Sequence, residues 1–342
     1  MKNERMKIKN LLEYYEYGKI PSRPLHLDVK LIDEDRTFAA GKAILRRVMI
    51  ITKFENGSEF EFPVSCAVPK SVQRPPVFLH INERSGIPDK FQPTEELCDE
   101  GFAVFTLDCN SIAGNDENFR RGAAPHLIGN RRKLDSPGKL AMWAWGAMRV
   151  MDLIETMREV DRNSVAVVGH GILGSAALLA GAFDERFAFV IANSSGFSGA
   201  ASRVFSKGAL FELKRRSPQL FCKRYNKLLG EEASLPFDQH ALLSLVAPRF
   251  LIIDTASDCF TDAPQAELYS SYIASEAYKA YGKSGLVCNE CANPCEIYDE
   301  EKPICYPDGD IVYRKRMGTP YLAREDWKMY MSYVKNRRKV NL

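Results

Sequence analysis

Six consecutive residues, Gly169-His170-Gly171-Ile172-Leu173-Gly174, constrain this chain more than any other stretch. Before them, Ser164-Val165-Ala166-Val167-Val168 is apolar enough for a strand covered on both faces. After them, Ala176 to Gly181 reads as the start of a helix built from small residues. A buried strand, a sharp glycine turn and a helix in that order form one unit of a layered α/β architecture. The spacing is that of a nucleophile elbow, Gly-x-Ser-x-Gly, where a strained turn lifts a serine hydroxyl clear of the sheet. In this chain the serine slot holds Gly171, which has no side chain with which to attack.

The same letters admit a second reading. Gly169-x-Gly171-x-x-Gly174 is also the dinucleotide-binding fingerprint, whose glycines let a pyrophosphate approach a helix N-terminus. That fingerprint calls for an acidic residue at the end of the next strand to hold a ribose hydroxyl. The next strand, 187–192, runs into Asn193-Ser194-Ser195-Gly196 and offers no carboxylate. No cofactor is therefore expected at the glycines.

Around this unit, continuous apolar runs at 77–81, 102–107, 187–192 and 250–254 read as buried strands. Segments 43–45, 48–51 and 60–64 alternate in strand fashion, with a hairpin turn at Asn56-Gly57. Helices are expected over 94–100, 137–159 (capped by Asp135 or Ser136, with Pro137 in its first turn), 207–247 and 323–338. The alternation implies a mostly parallel, doubly wound sheet. We read 1–22 as a helix and linker and 23–342 as a single domain, with a cysteine-rich insertion at about 285–310.

Composition enters mainly through what it excludes. A net charge of +3, with no stripe of basic residues, gives no electrostatic footprint for nucleic acid. No apolar run reaches the length of a membrane span. Nine cysteines without an apolar leader segment lead us to expect reduced thiols and a cytoplasmic protein.

The stretch GHGILGSAALLAGAFDERFAFVIANSSGFSGAA resembles the elbow region of bacterial esterases related to glucuronoyl and acetylxylan esterases. Met142-Trp143-Ala144-Trp145, Leu235-Pro236-Phe237-Asp238-Gln239-His240, Ala247-Pro248-Arg249 and Asp326-Trp327 carry the same likeness, which runs from about residue 75 to the C-terminus. The resemblance implies an α/β-hydrolase fold and a carbohydrate or uronate ester as ligand. It also implies site positions. The family's serine falls on Gly171, its following arginine on Ile172 and its lysine on Ser175. Its acid falls on Asp258, and its histidine on Pro320.

A check that needs no family agrees. In such folds the histidine follows the acid along the chain. The five histidines here are His26, His80, His126, His170 and His240, and none follows Asp258. Nucleophile and base are missing together. The leading expectation is thus a carbohydrate-esterase-like protein that has lost ester hydrolysis and keeps a ligand pocket. An active esterase with a relocated nucleophile and a dinucleotide-binding protein stand as alternatives.

Candidate pocket residues are His170, Ile172, Asp108, Trp143, Ser194, Ser195 and His240. Asp108 is either a ligand contact at a strand end or a cap. Of Trp143 and Trp145, two apart on one helix, one belongs in the core and the other is free to face the pocket. Finally, Cys288-x₂-Cys291-x₃-Cys295-x₉-Cys305 places four thiols within 18 residues, a set able to hold one structural zinc. Free thiols and an oxidised disulfide are the plainer readings.

Overall fold

In the computed structural model, the residues described are all except 1, 130, 207, 229, 232–233, 259–263 and 341–342, and the side chains of 339 and 340. The chain opens with α1 (Lys2–Leu12), which passes into a π-helical turn at Glu13–Tyr17. Leu12 and Tyr17 are fully buried in the main core, and the Arg5 guanidinium donates to the carbonyls of Leu245 and Ala247. The N-terminal segment is therefore packed onto the body rather than strung beside it.

Three antiparallel strands come next: β1 (His26–Asp35), β2 (Ala43–Lys53) and β3 (Glu59–Pro69). The segments expected at 43–45 and 48–51 fuse into β2, because the intervening arginines 46 and 47 stay in register opposite Cys66 and Ser65. β1 was not foreseen. Its residues are exposed on both faces, so it carries no inside–outside alternation.

The chain continues through β4 (Val77–Asn82), α2 (Thr94–Asp99), β5 (Ala103–Asp108), α3 (Cys109–Ile112), α4 (Ala124–Ile128) and α5 (Lys139–Thr156). Gly138 caps α5 without a side-chain bond. The expected cap Ser136 instead accepts from the Lys133 amide. The elbow unit is β6 (Val165–His170) and α6 (Ile172–Phe183), and β7 (Phe189–Asn193) comes after it.

The helical region expected over 207–247 divides into α7 (Ala209–Arg216), α8 (Lys223–Lys227) and α9 (Gln239–Ser244). Pro218 and Pro236 cannot sit inside a helix, and Gly230 turns the chain at φ +83°. The remaining elements are β8 (Phe250–Ala256), α10 (Pro264–Lys279), β9 (Ile304–Tyr306), β10 (Ile311–Arg316) and α11 (Arg324–Val340).

All ten strands join one sheet in the order β1-β2-β3-β5-β4-β6-β7-β8-β10-β9. β5, β4, β6, β7 and β8 run parallel, as expected; β10, which the sequence did not reveal, continues the parallel set beside β8, and β9 closes the edge antiparallel. One face is covered by α5, α6, α9 and α10, the other by α2 and α11. No described helix is long and apolar enough to cross a membrane.

Sheet register brings four polar residues together. His170, Asn193, Asp254 and Arg314 lie opposite one another on β6, β7, β8 and β10. They form one rung at the C-terminal end of the parallel sheet, where such folds gather their ligands.

Candidate functional site

β6 hands over to α6 at Gly171, whose backbone sits at φ +57°, ψ −131°, a conformation strained for any residue with a Cβ. Two neighbouring glycines are there for packing. A Cβ on Gly169 would lie 2.1 Å from the Leu173 carbonyl oxygen, and one on Gly174 would lie 3.1 Å from that of Asn193. Gly171 is different, since a Cβ there would meet nothing within 4 Å. The elbow is therefore intact, and the space above it is open. The first amides of α6 have no partner within the helix, so its positive end faces that space.

Beneath the turn lies the polar rung. The Asn193 side-chain amide donates to Asp254 Oδ2 (3.1 Å) and to the Tyr330 hydroxyl (3.0 Å), and Tyr330 donates to the same carboxylate oxygen (2.6 Å). With both of its hydrogens used, Asn193 can only accept through Oδ1. His170 Nδ1, 2.6 Å away, therefore carries the proton, and Nε2 is left as an acceptor. Burial lowers the His170 pKa, and the nearby Arg316 charge pushes the same way, so the ring is neutral near pH 7. Arg314 grips Asp254 with two bonds, at 2.8 and 2.7 Å, and also meets Asp326 on α11. The Asp326 carboxyl is raised by burial and by the Asp254 charge beside it.

Asp258 is exposed in the turn after β8. Its amide donates to the Gly318 carbonyl (3.0 Å), while the Gly318 amide donates to Ser257 Oγ (2.9 Å). The loops holding Asp258 and Pro320 are thereby laced together, as an acid and a histidine would need to be. From the second loop Tyr321 meets Phe91 edge-on at 4.9 Å, and Phe91 lies 5.8 Å from the His170 ring. The Arg84 guanidinium covers Phe91 at 4.7 Å and is held by Asp89. Phe91, Tyr321, Arg84 and Arg316 thus rim the elbow, and the sequence alone did not reveal them.

Other expected residues fall elsewhere. Trp143 is fully buried and donates to the Ala113 carbonyl (2.7 Å); Trp145 is equally buried and donates to that of Ser22. Both tryptophans are core, which corrects the pocket role considered for Trp143. Asp108 acts as a cap, accepting from the Asn110 amide at 2.9 Å, and burial raises its carboxyl pKa. Ile172 stands half-buried at the first position of α6.

Ser194 and Ser195 are buried. Ser195 donates to Glu267 and accepts from the Ala200 amide, and Ser194 sits at φ +50°. The Ser175 hydroxyl is bound to Ser198 and to the Ser195 carbonyl. Contacts thus hold the Ser175 and Ser195 hydroxyls inside the protein, while the Ser194 hydroxyl is buried without a hydrogen-bond partner among the described residues.

His240 occupies the first turn of α9, whose cap Asp238 also ties down Ser202 and Arg203. Its pKa is lowered by burial. The cysteines do not converge. Cys288 and Cys291 approach to 3.6 Å, whereas Cys305 is exposed on β9, where pairing with β10 holds it. Among the described residues, no group of three or more His, Cys, Asp and Glu side chains is placed to hold a metal ion. The four thiols that could have held one zinc are not gathered into a tetrahedral set.

A parallel sheet with a strand–glycine–helix elbow at its C-terminal end, flanked by two laced loops, defines the α/β-hydrolase architecture of carbohydrate esterases. Residues 51–282 match the family model described as "Glucuronyl esterase, fungi", and the chain belongs to the glucuronoyl esterase family. It is 28% identical to Carbohydrate esterase MZ0003 from an unknown prokaryotic organism, over 96% of this chain and 83% of that one. It is 27% identical to the 4-O-methyl-glucuronoyl methylesterase of Hypocrea jecorina, over 80% of this chain but only 56% of that protein. Among solved structures, a glucuronoyl esterase from Solibacter usitatus superposes with a TM-score of 0.85 at 26% identity, covering 97% of this chain and 91% of that one.

Proposed function

We propose that this chain binds a uronate-type carbohydrate at the elbow without hydrolysing its ester. The observation that carries the reading is Gly171. The turn keeps a nucleophile's backbone conformation and open space above it, and offers no atom beyond Cα. The absence of any histidine after His240 supports it independently. In a serine hydrolase, loss of either serine or histidine costs about 10⁶ in turnover.

What remains suits recognition. The positive end of α6 favours a carboxylate or a polarised ester carbonyl, with Arg316, its charge shared with Asp326, nearby. His170, neutral and protonated on Nδ1, offers an acceptor to a sugar hydroxyl. Tyr321, partly exposed at the rim, gives an apolar face of the kind sugar rings rest on. A relocated nucleophile has little support, because Ser175, Ser194 and Ser195 are buried, and the Ser195 hydroxyl, which donates to the Glu267 carboxylate, also accepts from the Ala200 amide inside the protein.

Two measurements test the reading: hydrolysis of methyl glucuronate, and calorimetric titration of the same ester. The expected result is binding with turnover at the buffer rate. A saturable hydrolysis rate of about 1 s⁻¹ or more, ordinary for an enzyme, would overturn it.

A further inference from the structure

A second feature, away from the elbow, is a cavity of about 1160 Å³. Its walls come from the long connection between α3 and α5 and from α8. That connection leaves the C-terminal end of β5, so the cavity opens at the same end of the sheet as the elbow. Arg120, Arg131, Arg132, Lys133, Lys223 and Lys227 line it, against a single carboxylate, Glu117.

None of those six cations is ion-paired among the described residues. The nearby Asp116 is engaged by Arg121 and Lys139 instead. Lys139 stands just behind the wall, its side chain fully buried, donating to the Asn118 carbonyl. Burial, joined by the Arg132 and Arg121 charges, pushes its ammonium down to about 8; burial also brings Arg132 down to about 10. The cavity concentrates positive charge with almost nothing of its own to balance it.

We propose that this cavity is a second binding site, for an acidic oligosaccharide whose carboxylates are carried on successive sugars. Guanidinium and ammonium groups spread over one concave wall match a ligand whose anionic groups are likewise spread. A nucleic acid fits less well, because single strands bind largely by stacking bases on free aromatic faces. The one aromatic ring in the lining, Phe119, already carries Arg132 at 3.7 Å and Lys139 at 4.5 Å from its centroid. The location stands on the charges alone, whereas the choice of a uronate chain rests on the function proposed above.

The test uses the full chain, titrated with tetragalacturonate, neutral xylotetraose and a short single-stranded oligonucleotide at two salt concentrations. Tetragalacturonate is expected to bind more tightly as salt falls, and xylotetraose not to bind. The charge reversal R131E/K223E/K227E is expected to weaken tetragalacturonate binding at least tenfold. The milder R131Q/K227Q, which leaves the Lys223 contact to the Arg132 carbonyl in place, should give a smaller loss in the same direction. Excess methyl glucuronate should not compete.

Unchanged affinity in both variants, or tighter binding of the oligonucleotide than of the uronate, would overturn the proposal. If methyl glucuronate binds while tetragalacturonate does not, the cavity site falls and the elbow reading survives. If only the charge-sensitive tetragalacturonate binding is seen, the elbow reading falls and the cavity site stands.

Discussion

Restoring a serine at the elbow is the most searching perturbation, and the geometry sets its expected size. In Gly171→Ser the new Cβ meets no atom within 4 Å, so there is no steric penalty. The cost is the backbone at φ +57°, about 1–3 kcal/mol for a residue with a side chain held there. The variant should therefore fold, melting a few degrees lower. Alone it should gain no activity, because in a triad the loss of the base costs about as much as the loss of all members. Adding Pro320→His supplies a base on the loop already laced to Asp258. A positioned general base contributes about 10²–10⁴, so the double variant should exceed Gly171→Ser by at least about 10²-fold. The assay is methyl glucuronate hydrolysis at neutral pH, with melting temperature as the control for folding. Two results would refute the reasoning: wild type turning over as fast as the double variant, or Gly171→Ser reaching the double variant's rate alone.

Other substitutions probe the same geometry. Gly169→Ala, whose Cβ would lie 2.1 Å from the backbone oxygen of Leu173, should abolish soluble expression or lower the melting temperature far more than Gly171→Ala. Asp254→Asn strips the nearly buried Arg314 of its bidentate carboxylate but leaves it Asp326, and should cost about 1–3 kcal/mol in denaturant unfolding; an unchanged midpoint would mean the rung is not structural. His80, buried and bonded to Gln92, has its pKa lowered by burial to about 4. Between pH 6.5 and 4 the unfolded chain takes up the proton that the folded one refuses. His80 therefore contributes stability that is full above 6.5 and drains away as pH falls toward 4. His80→Gln should flatten that part of the stability–pH curve relative to wild type.

Much of this fold could be read from the chain. β4 to β8 are apolar runs that only a sheet covered on both faces can use, and two of the elbow glycines, Gly169 and Gly174, are demanded by backbone contacts of about 2–3 Å. β10 could not be read, because Arg314 and Lys315 look like surface residues until Asp254 and Asp326 are placed beside the first and the carbonyls of Asp299 and Glu300 beside the second. The rung from His170 to Arg314 was hidden for a related reason. Its members are 23, 61 and 60 residues apart, and only sheet register makes them neighbours. Trp143 misled in the opposite way. Its indole N–H finds the Ala113 carbonyl inside the core, so an aromatic on an active-site-like helix needed no ligand to satisfy it.

The open space over Gly171 changes how deep a visitor can go. In an elbow that carries a hydroxyl, that group stands between the visitor and the first turn of the helix. Here a carboxylate or an ester oxygen can settle directly against the bare amides at the start of α6, a side chain's depth closer to the positive end of the helix. The bare Cα at position 171 therefore deepens the floor of the elbow by the length of one side chain.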